Sequence, residues 1–198
     1  MLKAYYQTDH TEAGCDEAGR GCLAGPVYAA AVILPQDYYH HVLTDSKLLS
    51  EKVRMELRKD IEANAIAYAV TAVDNERIDE INILQASIKA MHLSLDKLKK
   101  KFGFIIIDGN YFTPHGKIPH KTIIKGDSLY YSIAAASILA KTYRDEYMMQ
   151  AHDLYPRYKW INNKGYATAS HRAAIMEHGL CPLHRKSFQL KEMQLDLF

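Results

Sequence analysis

Apolar positions along the chain follow two different periods. Short windows crowded with β-branched, alanine or aromatic residues and bounded by glycine or proline predict strands over 12–18, 25–34 and 66–73. The unbroken run Phe104-Ile105-Ile106-Ile107 predicts a further strand covered on both faces. Elsewhere the spacing is three to four. Val53, Leu57 and Ile61 share one stripe of a helix that Ser50 can cap, and Leu84, Ile88, Met91, Leu95 and Leu98 share the stripe of a longer one. A third helix is predicted from 128 to about 150, with Ile133, Ala136, Ala140 and Tyr143 on its face. Strands first, then helices alternating with strands, predict an α/β domain on a mixed central β-sheet flanked by helices. There is no internal repeat and no low-complexity segment.

Composition narrows this picture. A length of 198 residues suits one domain with a substantial core, and two compact domains would be crowded. With 48% apolar and 24% charged residues the chain has the make-up of an ordinary globular protein, and only the last dozen residues suggest disorder. No apolar stretch approaches the length that spans a bilayer, and Met1 to Gln7 lack the apolar core of a secretion signal, so a cytoplasmic protein is expected. Three cysteines, Cys15, Cys22 and Cys181, without Cys-x-x-Cys spacing argue against a disulfide framework and a structural zinc site. Cys15 and Cys22 read as small packing residues. Charge is unevenly spread: residues 1–96 hold 9 Lys/Arg and 15 Asp/Glu, whereas residues 97–198 hold 16 and 8. A basic half beside an acidic cluster suits a protein that holds a polyanion with one part and cations with the other, although halves that fold together can also average out.

The chemistry concentrates at Gly14-Cys15-Asp16-Glu17-Ala18-Gly19-Arg20-Gly21. Adjacent carboxylates repel one another and are costly in a half-buried setting, and a divalent cation is their usual partner. Glycines bring main-chain N–H groups close to a ligand, and Arg20 offers a planar fork of donors for phosphate or ribose oxygens. The same residues would also serve a solvated face and a tight turn. Asp108 ends the buried strand in Asp108-Gly109-Asn110, at the edge where open α/β sheets carry their sites, yet Asp-Gly is equally a turn signal. Asp127 precedes the small-residue helix Ser132 to Ser137, where it can cap the helix, reach a metal, or both.

These four carboxylates stand in an order that resembles bacterial ribonuclease HII. The resemblance extends through Ala24-Gly25-Pro26-Val27, Asp45-Ser46-Lys47, Ile81 to Ala86, Ile107 to Asn110, Lys125 to Lys141, Gly165-Tyr166 with Thr168 and His171, and Cys181 to Phe188. It implies an RNase H-like fold with a helical C-terminal extension, covering residues 1–187. It also implies an endonuclease that cuts the RNA strand of RNA–DNA hybrids and incises 5′ of single ribonucleotides in duplex DNA, leaving 3′-hydroxyl and 5′-phosphate ends. Two Mg²⁺ or Mn²⁺ ions would be held by Asp16, Glu17, Asp108 and Asp127. Gly19, Arg20 and Gly21 would read the 2′-hydroxyl, and Tyr166 would contact it and stack on the next sugar. Lys47 and Asn82 would position phosphates, against plainer roles as an exposed lysine and a helix-start asparagine.

Gly19-Arg20-Gly21 in place of Gly-Lys-Gly favours ribonuclease HII over ribonuclease HIII. One departure is Ala169, where the family commonly carries lysine; Arg172 could substitute. The family also implies a monomer. Residues 188–198 form a tail whose Gln194, Leu195, Leu197 and Phe198 resemble the peptide by which replication and repair proteins dock on the bacterial DNA polymerase sliding clamp. Folding back of Leu197 and Phe198 onto the domain is the alternative. Another nuclease of the RNase H-like superfamily and a non-catalytic hybrid-binding module remain the competing readings. Four concentrated carboxylates speak against the second, because they would face a phosphate backbone.

Overall fold

The computed structural model describes residues 2–188. β1 (Glu12–Ala18) and β2 (Val27–Ile33) pair antiparallel, and β3 (Ala67–Val73) continues the antiparallel sheet beyond β2. On its other side β1 pairs in parallel with β4 (Phe104–Asp108), and β4 with β5 (His120–Ile123), so the sheet is mixed and its order is β3-β2-β1-β4-β5.

The middle of β2 is three alanines, Ala29 to Ala31, all fully buried, and their small side chains let a helix close on each face. On one face Ala29 and Ala31, with Ala13, Cys15, Ile105 and Ile107, meet Ile88, Met91 and Leu95 of α3 (Ile83–Lys97). On the other, Ala30 and Val32 meet Ala134, Ala135, Ile138 and Leu139 of α4 (Tyr131–Leu154). Residue parity along each strand thus decides which helix it feeds. Burying each isoleucine of β4 contributes about 2 kcal/mol relative to exposure. Gly14 is required where α4 crosses β1, since a side chain there would run into the Ser132 backbone.

α1 (Glu51–Asn64) starts as expected, with the Ser50 hydroxyl accepting from the Val53 N–H at 3.4 Å, and it buries Leu57 and Ile61 against the α4 layer. α4 differs from expectation at both ends. It begins at Tyr131, because Tyr130 is held extended where it pairs with Lys3: Lys3 N–H to Leu129 O at 2.8 Å and Tyr131 N–H to Lys3 O at 3.0 Å. Asp127 therefore does not cap α4. It sits in a preceding 3₁₀ turn, Gly126–Ser128. α2 (Asn75–Ile81), capped by Asp74, and the half-exposed strand β5 carry too little periodic signal to be read from the chain.

α5 (Trp160–Asn163) and α6 (Ala169–His178) form the helical C-terminal extension, around a smaller core of Leu23, Met148, Tyr158, Trp160 and Ile175. Cys15 and Cys22 are fully buried free thiols, as a packing role requires. Among the described residues no helix is long and apolar enough to cross a membrane. Gln194, Leu195, Leu197 and Phe198 lie outside the described residues.

Candidate active site

The parallel pairing of β1 with β4 aligns Cys15 with Ile107. Asp16 and Asp108 come next on each strand, and strand alternation turns both toward the α4 side of the sheet. Asp108 then anchors the third member: its Oδ1 accepts the Gly126 N–H at 2.7 Å, which fixes the 3₁₀ turn that carries Asp127. A Cβ on Gly126 would press on the end of the Ile133 side chain, so the turn packs closely onto α4. Asp16, Asp108 and Asp127 each offer a carboxylate oxygen within 4.8 Å of the others.

Burial raises the pKa of all three. For Asp16 the neighbouring Glu17 and Asp108 add to desolvation, and the Ser137 hydroxyl only partly offsets it. Desolvation leads at Asp108 as well, opposed by the Gly126 N–H, and at Asp127 it is reinforced by Asp108 and Asp45. Such a cluster is short of positive charge, and its donors are hard carboxylate oxygens of the kind Mg²⁺ and Mn²⁺ prefer. The residues present fit a divalent cation.

Glu17 is placed differently. As the next residue on β1 its side chain leaves by the opposite face, where it pairs with Arg20 at 3.2 Å while still feeling the charge of Asp108. It is not one of the three whose oxygens converge. Lys47 reaches the cluster: its exposed Nζ lies 3.8 Å from both Asp45 and Asp127, at the edge of an open cleft of about 590 Å³ that Asp108 and Lys125 also line. Asn82 has the plainer role as an observed contact, its Oδ1 capping α3 at the Gln85 N–H (3.1 Å) with φ +66°.

The Gly19-Arg20-Gly21 segment follows β1 directly. Two buried arginines hold it and its continuation, and sequence reasoning missed both. Arg185 donates to the carbonyls of Gly19 (2.8 Å), Arg20 (2.9 Å) and Gly25 (3.0 Å). Arg144 donates to Ala24 (3.0 Å), Pro26 (3.0 Å) and Lys164 (2.8 Å). Both guanidinium groups are essentially inaccessible, and burial brings Arg185 down to about 10. The available signal is that Arg144 lies on the otherwise small and apolar stripe Ser137, Ala140, Met148 and Ala151.

Tyr166 pairs across an isolated bridge with Cys22, next to Gly21. Its ring is partly exposed and faces Lys141 (5.1 Å) and Arg144 (5.7 Å). Burial and the nearby Cys22 raise its hydroxyl to about 12, so it stays protonated and able to donate. Ala169 opens α6, and Arg172 reaches back to the Ala167 carbonyl at 2.9 Å.

A family model described as Ribonuclease HII matches residues 13–191. The chain is 58% identical over 197 residues to a ribonuclease HII of Parabacteroides distasonis, covering 100% of this chain and 99% of the relative. It is 60% identical over 190 residues to that of Bacteroides thetaiotaomicron, covering 96% and 95%. Among solved structures, the RNase HII in a PCNA complex from Archaeoglobus fulgidus superposes with a TM-score of 0.77 at 25% identity, over 95% of this chain and 100% of that one. The mixed sheet, the aspartates converging at its edge and these matches have one reading: the chain belongs to the ribonuclease HII family and is a hydrolase of the ribonuclease H type.

Proposed function

We propose that this enzyme hydrolyses the RNA strand of RNA–DNA hybrids and incises 5′ of single ribonucleotides embedded in duplex DNA, leaving 3′-hydroxyl and 5′-phosphate ends. The observation that carries this reading is the convergence of Asp16, Asp108 and Asp127 beside the Gly19-Arg20-Gly21 segment and Tyr166. Two divalent cations, Mg²⁺ or Mn²⁺, held by these aspartates with Glu17 beside them, would activate the attacking water and neutralise the departing 3′-oxygen.

The protein's own groups have the remaining tasks. Lys47 stands over the cleft as a cation for a backbone phosphate. Asn82, occupied as a cap, has its amide nitrogen left for a phosphate at the edge of the substrate. The Gly19–Gly21 main chain and Arg20 would bind the 2′-hydroxyl, the one group that separates a ribonucleotide from its neighbours. Tyr166 would donate to that oxygen and lie against the following sugar.

The test is cleavage of a labelled duplex containing one ribonucleotide, with Mg²⁺ or Mn²⁺, beside an all-DNA duplex and an Asp108→Asn variant. Incision 5′ of the ribonucleotide, absent from both controls, is the expected result; none with either metal would overturn the proposal. We assign the enzyme to the cytoplasm, as a monomer. Residues 188–198 form a tail in which Gln194, Leu195, Leu197 and Phe198 dock on the sliding clamp in linear-motif fashion. The PCNA complex of the Archaeoglobus fulgidus relative supports a partner of this kind. A tail peptide without affinity for the clamp, and a truncated chain that still binds it, would refute the docking.

A further inference from the structure

Behind Tyr166 lies a chain of buried polar groups that touches neither the aspartates nor solvent. Trp160, His171 and His184 are all fully buried. Trp160 Nε1–H can only donate, and its partner is His171 Nε2 at 2.9 Å. That assigns the His171 proton to Nδ1, which donates to the Tyr166 carbonyl at 2.9 Å. At the far end the Cys181 N–H donates to His184 Nδ1 at 2.9 Å, so the His184 proton lies on Nε2 and points at His171 Nε2, 3.2 Å away. Both imidazoles are neutral, and the single lone pair of His171 Nε2 is shared by the shorter Trp160 bond and the longer His184 one. Tyr158, stacked on Trp160 and edge-on to His184, closes the network on the apolar side.

The geometry points to His171 as a positioning residue for ribonucleotide discrimination, fixed in one tautomer by Trp160 and His184 and setting the backbone of Tyr166 through its carbonyl. This rests on the reading that Tyr166 meets the substrate sugar. The Tyr166 carbonyl is a sensitive point to hold. It also takes the Thr168 N–H at 2.8 Å, while the Tyr166 N–H goes to Asn163 O at 2.8 Å. The residue therefore sits in a short turn between α5 and α6 with its ring outward. Gly165, at φ +83°, donates its N–H to Asn163 Oδ1 and accepts the Leu23 N–H at 2.8 Å, and a Cβ there would crowd the Ala24 carbonyl, so the turn is tied to the segment that precedes β2. The His171 ring closes the opposite side. Losing it frees the turn at the residue that bridges to Cys22 and turns its ring to Lys141. A single ribonucleotide offers one 2′-hydroxyl and needs Tyr166 in register, whereas an all-RNA strand offers many registers.

The experiment compares single-turnover rate and KM on two substrates, a DNA duplex with one ribonucleotide and a hybrid with an all-RNA strand. The variants are Tyr166→Ala, His171→Leu, His171→Asn and the double variant Tyr166→Ala/His171→Leu. His171→Leu should lower the rate on the single-ribonucleotide duplex relative to the hybrid by about tenfold or more, the scale on which an orienting partner acts. His171→Asn keeps a donor near the Nδ1 position and should recover most of that ratio. The double variant should be no more impaired in the ratio than Tyr166→Ala alone. If His171→Leu does not fold, His184→Leu and His184→Gln replace the pair, glutamine keeping the donor to His171. Equal losses on both substrates, or losses that add to those of Tyr166→Ala, would mean that the network is only structural and would overturn the inference. If Tyr166→Ala leaves the ratio unchanged, the reading of Tyr166 fails and takes the inference with it. If Tyr166→Ala lowers the ratio and His171→Leu does not, the inference fails alone.

Discussion

Asp16 and Asp108 stand side by side on neighbouring parallel strands, one residue beyond the aligned pair Cys15 and Ile107. Neither has a cationic partner at hydrogen-bond distance among the described residues, and the charge of Asp108 raises the cost of ionising Asp16. Replacing Asp108 by asparagine keeps an oxygen to accept the Gly126 N–H and removes one charge. Cleavage should fall by at least about 100-fold, the lower end of the effect of removing a group that acts on transition-state charge. Hybrid affinity, measured by fluorescence anisotropy in a chelating buffer, should stay level or rise, since a negative charge facing phosphate is gone.

The same crowding makes cations a stability term. A cation present at 100 times its dissociation constant stabilises the folded state by about 2.7 kcal/mol. For a chain of this size that raises the melting temperature by about 5–10 °C. Calorimetry with Mg²⁺ or Mn²⁺ and then with EDTA should show this rise and its reversal. Asp108→Asn should melt higher than the wild type in EDTA and gain less from the metal. A wild-type melting temperature indifferent to divalent cations would contradict the site.

Much of this was legible because it repeats or stands at a boundary. Ile105 to Ile107 form an apolar run that stops at a carboxylate, and Leu84 to Leu95 hold helical spacing, so β4, α3 and Asp108 could be found from residue order alone. β5 could not, being four residues of mixed polarity at a sheet edge. Asp127 precedes the right helix and reads as a possible cap, because nothing local reveals that Lys3 pairs with Tyr130 and holds it extended. Arg144 and Arg185 stayed hidden for a different reason. Apart from Lys164, their partners are main-chain carbonyls more than a hundred residues away, and a carbonyl is the same in every residue type.

Acid should expose the histidine network. Burial and the neighbouring His171 hold His184 at about 4, against an ordinary value of 6.5. Its folded pKa is thus depressed, the unfolded chain binds the proton more readily, and the stability tied to the neutral ring is complete above pH 6.5 and lost as pH falls toward 4. The loss reaches about 3 kcal/mol by pH 4. His171, also lowered by burial, acts in the same direction. Urea unfolding of the wild type and His184→Gln at pH 8, 6 and 4 isolates the effect, since the buried carboxylates titrate in both. The two stabilities should converge or cross as pH falls, and parallel curves would rule the network out as the acid-sensitive element.

Gly19 and Gly21 look equivalent in sequence and are not equivalent in the fold. Gly19 is buried at φ +97°, and a Cβ there would collide with the Arg144 side chain whose guanidinium holds Ala24 and Pro26. Gly21 is exposed, has no positive φ, and a Cβ would meet nothing within 4 Å. Gly19→Ala should therefore unfold more easily, by more than about 1 kcal/mol, because the backbone conformation is strained and the arginine must move. Gly21→Ala should leave unfolding free energy within about 0.5 kcal/mol of the wild type, as an exposed substitution without steric conflict does. If the segment receives the ribonucleotide, the methyl group at residue 21 stands where the sugar must approach. Cleavage of the single-ribonucleotide duplex should then fall with KM rising, in a protein that melts normally. Unchanged kinetics in Gly21→Ala would move the sugar contact away from this segment and leave Gly19 as a residue of the fold alone.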